Sequence, residues 1–235
     1  MEVIILAGGL GTRLRSVVSE VPKCMAPVAG KPFLWYLLKY LSHYDVNRVI
    51  LSVGYLREVI FKWIDEVRDE FPFSFDYAIE EEPLGTGGGI KLALSRALTQ
   101  DVVILNGDTF FDVNLNELIN FHKLAPSAVT IALKPLQDFD RYGRVIVDAV
   151  DGRVVEFKEK EHCKEGMING GVYVVSKLNL KLKDYPVKFS FEKEVLEPLT
   201  EQSKIFGLVQ GGYFIDIGIP EDYSKAGVEF KGLFK

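Results

Sequence analysis

A glycine-rich segment with two arginines follows the first apolar run of the chain. Residues 2–7 (EVIILA) are rich in β-branched side chains and too few for a helix, so they predict a buried strand. Residues 8–15 (GGLGTRLR) come directly after that strand. Glycines there permit a tight turn with exposed N–H groups, and arginine side chains match the geometry of phosphate oxygens. The segment therefore predicts a loop that holds a polyphosphate.

Two other phosphate-binding motifs do not fit this spacing. The dinucleotide motif G-x-G-x-x-G is matched at Gly9 and Gly11, but Leu14 stands where its third glycine should be. The Walker motif G-x-x-x-x-G-K followed by Ser or Thr does not occur in the sequence. From these residues alone, the alternative is an ordinary glycine turn with surface arginines.

Two acidic residues lie just after or within other apolar runs. Asp108 follows residues 101–105 (DVVIL), and Asp216 is the one acid within residues 213–219 (YFIDIGI). A buried carboxylate needs a partner or a metal, and Mg²⁺ prefers carboxylate and phosphate oxygens. Asp108 is therefore a candidate Mg²⁺ ligand. Asp112 is a weaker candidate and is expected to cap the helix that follows it.

The run LAGGLGTRL at residues 6–14, followed by Pro22 and Lys23, resembles the signature of sugar-1-phosphate nucleotidyltransferases. LGTG at residues 84–87, FKEK at 157–160 and DIG at 216–218 also match that family and occur in its order. The resemblance implies transfer of a nucleotidyl group from a nucleoside triphosphate to a sugar 1-phosphate, with Mg²⁺ as cofactor and pyrophosphate as second product. Cys24 departs from the pattern, in which many members have proline, and this affects the expected loop shape more than the chemistry.

The resemblance also implies roles for single residues, with Lys188 and Glu192 added from their residue types. The catalytic candidates are Arg13, Lys23, Asp108, Lys160 and Asp216, and the metal ligands among them are Asp108 and Asp216. The nucleotide-binding candidates are Leu6, Ala7, Gly8, Gly9, Gly11, Thr12, Arg13, Glu82, Pro83, Leu84, Gly85, Thr86, Gly87, Asn106 and Gly107. The sugar-phosphate candidates are Tyr142, Gly143, Glu159, Lys160, Asn169, Gly170, Lys188 and Glu192.

Strand and helix patterns alternate through the first half of the chain. Strands are predicted at residues 2–7, 47–53, 73–79 and 101–105, and helices at 33–41, 55–71, 90–98 and 115–124. Residues 80–89 (EEEPLGTGGG) are predicted as a loop, because four glycines in five positions disfavour any regular element. The alternation predicts a parallel sheet covered on both faces, with ligands at the carboxyl ends of its strands.

The pattern changes in the second half. Strands are predicted at residues 128–133 and 168–175, a β-hairpin around Asp151-Gly152, and helices at 190–199 and from Pro220 onward. We therefore predict an α/β fold with a Rossmann-like, mostly parallel sheet, helices on both faces and a small β-rich sugar-binding lobe. It is expected to be a single domain over residues 1–235. Residues 1–125 would mainly bind the nucleotide and 126–235 the sugar phosphate.

Composition argues against several classes of protein. Apolar residues make up 48% of the chain without a run long enough to span a membrane, and no signal peptide is apparent. The net charge of -5 argues against a nucleic-acid-binding surface. Cys24 and Cys163 have neither metal nor redox spacing, which fits a reducing cytoplasm. The expected partners are small-molecule substrates, with neither nucleic acid nor membrane, and a homo-oligomer is left open.

The predicted substrates rest on the family resemblance alone. Within the family, residues 82–88, 106–112, 138–143, 190–192 and 213–218 most resemble guanylyltransferases acting on a heptose 1-phosphate, which implies GDP-heptose for surface polysaccharide. Mannose, glucose or N-acetylmuramic acid 1-phosphate, with GTP, UTP, CTP or dTTP, remain alternatives. A non-catalytic nucleotide-sugar sensor is an alternative of another class, and a dehydrogenase is a third. A sensor should lack a metal carboxylate or a phosphate-binding cation, and all five catalytic candidates are present.

Overall fold

The computed structural model of the protein describes residues 1–9, 14 and 20–234, with Glu159 described by its backbone alone. Its strands in chain order are β1 (Glu2–Leu6), β2 (Pro27–Val28), β3 (Lys31–Pro32), β4 (Arg48–Val53), β5 (Ser74–Ile79), β6 (Asp101–Asn106), β7 (Thr109–Phe111), β8 (Val129–Phe139), β9 (Gly143–Val147), β10 (Val154–Lys160), β11 (Cys163–Ser176), β12 (Ile205–Val209) and β13 (Phe214–Asp216). Its α-helices are α1 (Phe33–Leu41), α2 (Arg57–Val67), α3 (Gly85–Arg96), α4 (Leu115–Leu124), α5 (Lys177–Leu180), α6 (Glu197–Glu201) and α7 (Pro220–Glu229).

The first half of the chain forms the parallel part of the main sheet. β1 lies between β4 and β6, β5 lies outside β4, and all of these pairs are parallel. Alternate residues of β1 enter two different cores: Val3 and Ile5 pack with α1, and Ile4 packs with α3. Because helices cover both faces, the central residues of β1, β4 and β6 are buried, whereas β5 at the edge of the sheet is mostly half-buried or exposed. The predicted alternation of strands and helices is confirmed.

The second half continues this sheet. β11 is 14 residues long and pairs antiparallel with β6 and β8, and its first half also pairs with β9. β9 and β10 form the predicted hairpin, in which Gly152 N–H donates to Asp148 O at 3.0 Å. The β-rich part is therefore attached to the parallel part through one long strand, and together they form a nine-stranded mixed sheet in the described chain.

Two local predictions are wrong. Residues 85–89, predicted as a loop, are instead the first turn and a half of α3. The cap of α4 is Asn114, whose side chain accepts a hydrogen bond from Glu117 N–H at 3.2 Å, and not Asp112. Asn114 immediately precedes the helix, whereas Asp112 lies two residues too early to reach the free N–H groups of the first turn. Within the described ranges, no helix combines the length and the apolar character needed to cross a bilayer.

Packing explains why the first turns of α3 contain glycines. A Cβ at Gly87 would collide with the Phe189 ring, and a Cβ at Gly88 would collide with the Val187 carbonyl oxygen and lie 2.6 Å from Leu84 Cβ. Glycine costs a helix roughly 0.5–1 kcal/mol relative to alanine. Here the missing side chains let the segment before Glu192–Leu196, a helical turn of π type, lie directly against α3.

Two glycine-to-alanine variants separate close packing from helix propensity. We expect Gly88→Ala to lower the free energy of unfolding by about 1–3 kcal/mol, because the added methyl group meets backbone atoms that cannot move aside cheaply. Gly227 lies inside α7, and nothing beyond its own helix comes within 4 Å of the position that a Cβ would occupy. Gly227→Ala should therefore raise the free energy of unfolding by about 0.4–1 kcal/mol. Urea unfolding monitored by circular dichroism measures both, and equal effects of the same sign would contradict this explanation.

Candidate active site

Asp108 and Asp216 meet at Lys23. Lys23 Nζ lies 2.5 Å from Asp108 Oδ2 and 3.7 Å from Asp216 Oδ1. Asp108 follows β6, and Asp216 ends β13, whose antiparallel pairing with β7 places Asp216 opposite Thr109. Ile217 N–H also donates to the Asp108 carbonyl oxygen at 3.0 Å. The strands thus bring together two acids that are remote in sequence.

The surroundings of this acid pair restrict the orientation of its carboxylates. Gly218 N–H donates to Asp216 Oδ1 at 2.7 Å, and the Thr109 hydroxyl donates to Asp108 Oδ1 at 3.3 Å. The side chain of Lys23 is only 12% exposed, so its ammonium is partly withdrawn from water. A fixed positive charge there offsets the repulsion between two neighbouring carboxylates.

Mg²⁺ fits this arrangement of donors. It is commonly held by one or two carboxylates together with substrate phosphates and water. The part of the chain that the structure describes has no cluster of three or more His, Cys, Asp or Glu side chains suited to a metal. Asp108 and Asp216 are the two carboxylates here that could hold such an ion, together with a phosphate-bearing substrate.

Cys24 is a packing residue beside the acid pair. It is buried in the 3₁₀ turn Lys23–Met25, directly after Pro22. Burial, together with the charge of Asp108, raises the pKa of the Cys24 thiol to about 12. At neutral pH the thiol is therefore protonated and is not a nucleophile.

A cavity of about 440 Å³ opens beside Lys23 and Asp108. Its lining residues come from the ends of β1 and β6, the segment between β5 and α3, the start of α3 and the Lys23 turn: Leu6, Ala7, Gly8, Gly9, Lys23, Cys24, Glu80, Pro83, Gly85, Thr86, Gly89, Asn106, Gly107 and Asp108. Most of the described nucleotide-binding candidates are among them. Glu82 lines a neighbouring cavity of about 280 Å³ instead, and Leu84 and Gly87 are not among the residues lining either cavity. Gly11, Thr12 and Arg13 lie outside the described residues.

Gly107 allows the ends of the parallel strands β1 and β6 to lie at the same wall of the cavity. Gly107 N–H donates to the Leu6 carbonyl oxygen at 3.0 Å. A Cβ at Gly107 would lie 2.5 Å from that oxygen, so only glycine allows this approach. The ends of β1 and β6 are consequently held side by side.

Glu80 is a site residue that the sequence analysis missed. Its carboxylate accepts hydrogen bonds from the Ser52 hydroxyl at 2.9 Å and from Leu84 N–H at 3.2 Å. It lines both cavities and lies close to Gly8 and Gly89. A carboxylate directly after β5 was the available signal, because ligands lie beyond the carboxyl ends of parallel strands.

Tyr142 is the sugar-phosphate candidate most clearly connected to the acid pair. Its ring packs edge-on against Phe214 of β13, with centroids 6.0 Å apart. Burial first, and then the charge of Asp216, raise the pKa of Tyr142 to about 12. The hydroxyl is therefore a neutral hydrogen-bond donor at physiological pH.

The other described sugar-phosphate candidates differ in their surroundings. Asn169 Nδ2 donates to the Tyr173 hydroxyl at 2.9 Å, and its Oδ1 accepts from Gly171 N–H at 3.0 Å. Gly170 packs against the Phe111 ring. Lys160 is exposed at the end of β10, where its backbone lies opposite Gly143. The side chain of Glu159 is outside the description.

Glu192 connects the second half of the chain to α3. Its Oε2 accepts hydrogen bonds from Thr86 Oγ1 at 2.7 Å and from the Ser190 hydroxyl at 2.9 Å, and Phe191 N–H donates to Thr86 Oγ1 at 2.9 Å. This carboxylate is therefore used in fixing Thr86 at the cavity wall. Lys188 is exposed in the segment that precedes these residues.

Comparisons with known proteins extend over nearly the whole chain. A profile of the family described as nucleotidyl transferase matches residues 2–231. D-glycero-alpha-D-manno-heptose 1-phosphate guanylyltransferase of Aneurinibacillus thermoaerophilus is 48% identical, over 98% of this chain and 99% of its own. The protein of the same name in Campylobacter jejuni is 46% identical, over 95% and 97% of the two chains.

A solved structure shows the same architecture. The crystal structure of HddC from Yersinia pseudotuberculosis complexed with GMP-PN is 41% identical to this chain, with a TM-score of 0.82, and covers 98% of this chain and 99% of its own. Family profile, relatives and fold all agree over nearly the whole length. The chain belongs to the nucleotidyl transferase family.

Proposed function

We propose that the protein is a guanylyltransferase that joins GTP and D-glycero-alpha-D-manno-heptose 1-phosphate to give GDP-heptose and pyrophosphate. The meeting of Asp108, Lys23 and Asp216 beside a nucleotide-sized cavity is the observation that carries the chemistry. The substrates follow from the relatives that bear this name and cover almost all of the chain.

The reaction is an in-line displacement at the α-phosphorus. An oxygen of the sugar 1-phosphate forms the new O–P bond, and the bond to the bridging oxygen of the β-phosphate breaks, so that its electron pair leaves with pyrophosphate. The nucleophile is already an anion at neutral pH, so the step requires no general base. The barrier arises from bringing anions together and from charge on the phosphoryl oxygens.

The chain supplies positive charge and orientation for this step. Lys23 lies between the two acids and in the cavity wall, where its ammonium offsets the negative charge of the phosphates. Mg²⁺ held by Asp108 and Asp216 would stabilise the phosphoryl oxygens as a Lewis acid. Arg13 and Lys160 would contact the triphosphate and the sugar phosphate, as the family resemblance implies.

The two halves of the chain would divide the substrates between them. Residues 1–125 provide the walls of the larger cavity and would bind mainly GTP. Residues 126–235 carry the sugar-phosphate candidates and also contribute Asp216 to the acid pair. Both cysteines are free thiols, which fits the proposed location in the cytoplasm.

Glu80 is our candidate for the residue that selects guanine. A carboxylate only accepts hydrogen bonds, and guanine presents two adjacent donors, N1–H and the N2 amino group. Uracil and thymine offer one N–H between two carbonyl oxygens, which a carboxylate repels. Ser52 and Leu84 already hold the Glu80 carboxylate in the cavity wall, so its remaining lone pairs have a fixed direction.

Asp108→Asn tests the metal role. The amide keeps the side-chain shape but removes the charge, so we expect kcat to fall by at least about 100-fold while the fold is retained. The measurement is pyrophosphate release at saturating GTP, heptose 1-phosphate and Mg²⁺. Asp112→Asn is the matched control, because the exposed Asp112 side chain has the same chemistry nearby and should leave turnover unchanged. Full activity of Asp108→Asn at saturating Mg²⁺ would remove the proposed role.

Glu80→Gln tests the choice of base. ITP differs from GTP only by lacking the N2 amino group, so it isolates that contact. We expect kcat/KM for GTP to fall about 10- to 100-fold and the preference for GTP over ITP to shrink. Glu81→Gln is the control, since Glu81 is exposed and paired with Arg57 at 3.0 Å. An unchanged GTP-to-ITP ratio in Glu80→Gln would show that another group reads the base.

A further inference from the structure

An ion pair joins the turn between β8 and β9 to the last helix. Arg141 Nη2 donates to Asp222 Oδ2 at 2.6 Å, and the two side chains are 44% and 20% exposed. Asp222 lies in the first turn of α7, where the helix dipole stabilises an acidic side chain. The pair therefore connects segments that are 81 positions apart in sequence.

The same arginine contacts Tyr142. The Arg141 guanidinium carbon lies 5.5 Å from the centroid of the Tyr142 ring, within the range of a cation–π contact. That ring packs against Phe214, and Phe214 packs edge-on against Phe111 with centroids 5.6 Å apart. Tyr142 is thus held between Arg141 and the strand that ends in Asp216.

The turn, residues 140–142, lies between paired strands, since Phe139 pairs with Cys163 and Gly143 with Lys160. Residues 140–142 have no regular secondary structure, and Asp138 before them has a left-handed backbone with φ 51°. The hydrophobic cluster beneath is small, with Phe139, Cys163 and Ile168 as its buried members. Without the ion pair, the order of residues 140–142 would depend on that cluster, the Tyr142 ring and the pairing of the flanking strands.

We propose that Arg141 is a positioning residue: its pairing with Asp222 holds Tyr142 beside the acid pair, where the sugar phosphate reacts. The inference rests on the proposed function, since it assigns the sugar phosphate to this side of the acid pair. The competing explanation is an ordinary exposed ion pair, which contributes about 0.2–1 kcal/mol to stability and nothing to substrate binding.

If Arg141 acts in this way, its loss should change the KM of the sugar phosphate alone. The residues that line the 440 Å³ cavity come from other segments, and none belongs to residues 138–144 or to α7. Loss of the ion pair should therefore raise KM for the sugar phosphate and leave KM for GTP unchanged. A loss of overall stability would instead weaken the binding of both substrates or lower the fraction of active enzyme.

The experiment uses Asp222→Asn, Arg141→Gln and the conservative variant Arg141→Lys. KM for heptose 1-phosphate is measured at saturating GTP and Mg²⁺, and KM for GTP at saturating heptose 1-phosphate. We expect each of the first two variants to raise KM for the sugar phosphate about fivefold, equivalent to about 1 kcal/mol. Arg141→Lys keeps the positive charge opposite Asp222 and beside Tyr142, so its KM should lie closer to that of the wild type. Asp65→Asn, which removes an exposed pair with Arg68 beside α2, is the control.

Equal KM values in the variants and the wild type, or parallel rises for both substrates, would overturn the proposal while leaving the guanylyltransferase function standing. Wild-type protein inactive with heptose 1-phosphate would contradict the proposed function instead. Amide hydrogen exchange of the substrate-free protein then tests directly whether the ion pair between Arg141 and Asp222 orders the turn. Faster exchange confined to residues 138–144 in Asp222→Asn supports the positioning role, and unchanged exchange overturns it.

Discussion

Two carboxylates and one ammonium group at a single point are the constraint on which the rest of the structure depends. Asp108 and Asp216 repel each other, and Lys23 between them offsets that repulsion in a place where water is partly excluded. Three chain segments must be delivered to within a few ångströms of one another. The parallel sheet carries Asp108, the β7–β13 pair carries Asp216, and the turn after Pro22 carries Lys23.

The surrounding fold is organised to let backbone approach backbone at this point. Gly107 against Leu6 and Gly88 against Val187 are contacts that any side chain would prevent. The first brings β1 and β6 to the same cavity wall, and the second seats the segment before Glu192 on α3. Glu192 then reaches Thr86, so the second half of the chain helps to fix the nucleotide side of the site. The two halves of the chain are therefore held together at the cavity wall.

Elements with a strong local signal were predictable from the sequence. The helices Phe33–Leu41 and Leu115–Leu124 have the predicted bounds. Each is an apolar-rich run next to a residue that starts or stops a helix, with Pro32 before the first and Pro126 soon after the second. The start of α3 was missed because glycine propensity was weighed without the packing partner near residue 188. Asn114 was missed as a cap because Asp112 and Asn114 are equally good capping residues, and only geometry separates them.

The site shows the same division between local and distant information. The family motifs identified Lys23, Asp108 and Asp216 as candidates. In the fold, both carboxylates lie next to the Lys23 ammonium. Glu80 escaped notice because its surroundings come from Gly8, Ser52 and Gly89, which only the folded sheet assembles. The Arg141–Asp222 pair had no sequence signal at all, since nothing in either segment names its partner.

Anomalous diffraction from crystals grown with Mn²⁺ and a non-hydrolysable GTP analogue tests the central claim most directly. Mn²⁺ accepts the same oxygen ligands as Mg²⁺, and its anomalous signal locates the ion independently of the protein atoms. We expect an anomalous peak within coordination distance of both Asp108 and Asp216, with the Lys23 ammonium displaced toward the phosphates. A bound nucleotide whose metal lies away from either carboxylate would contradict the account.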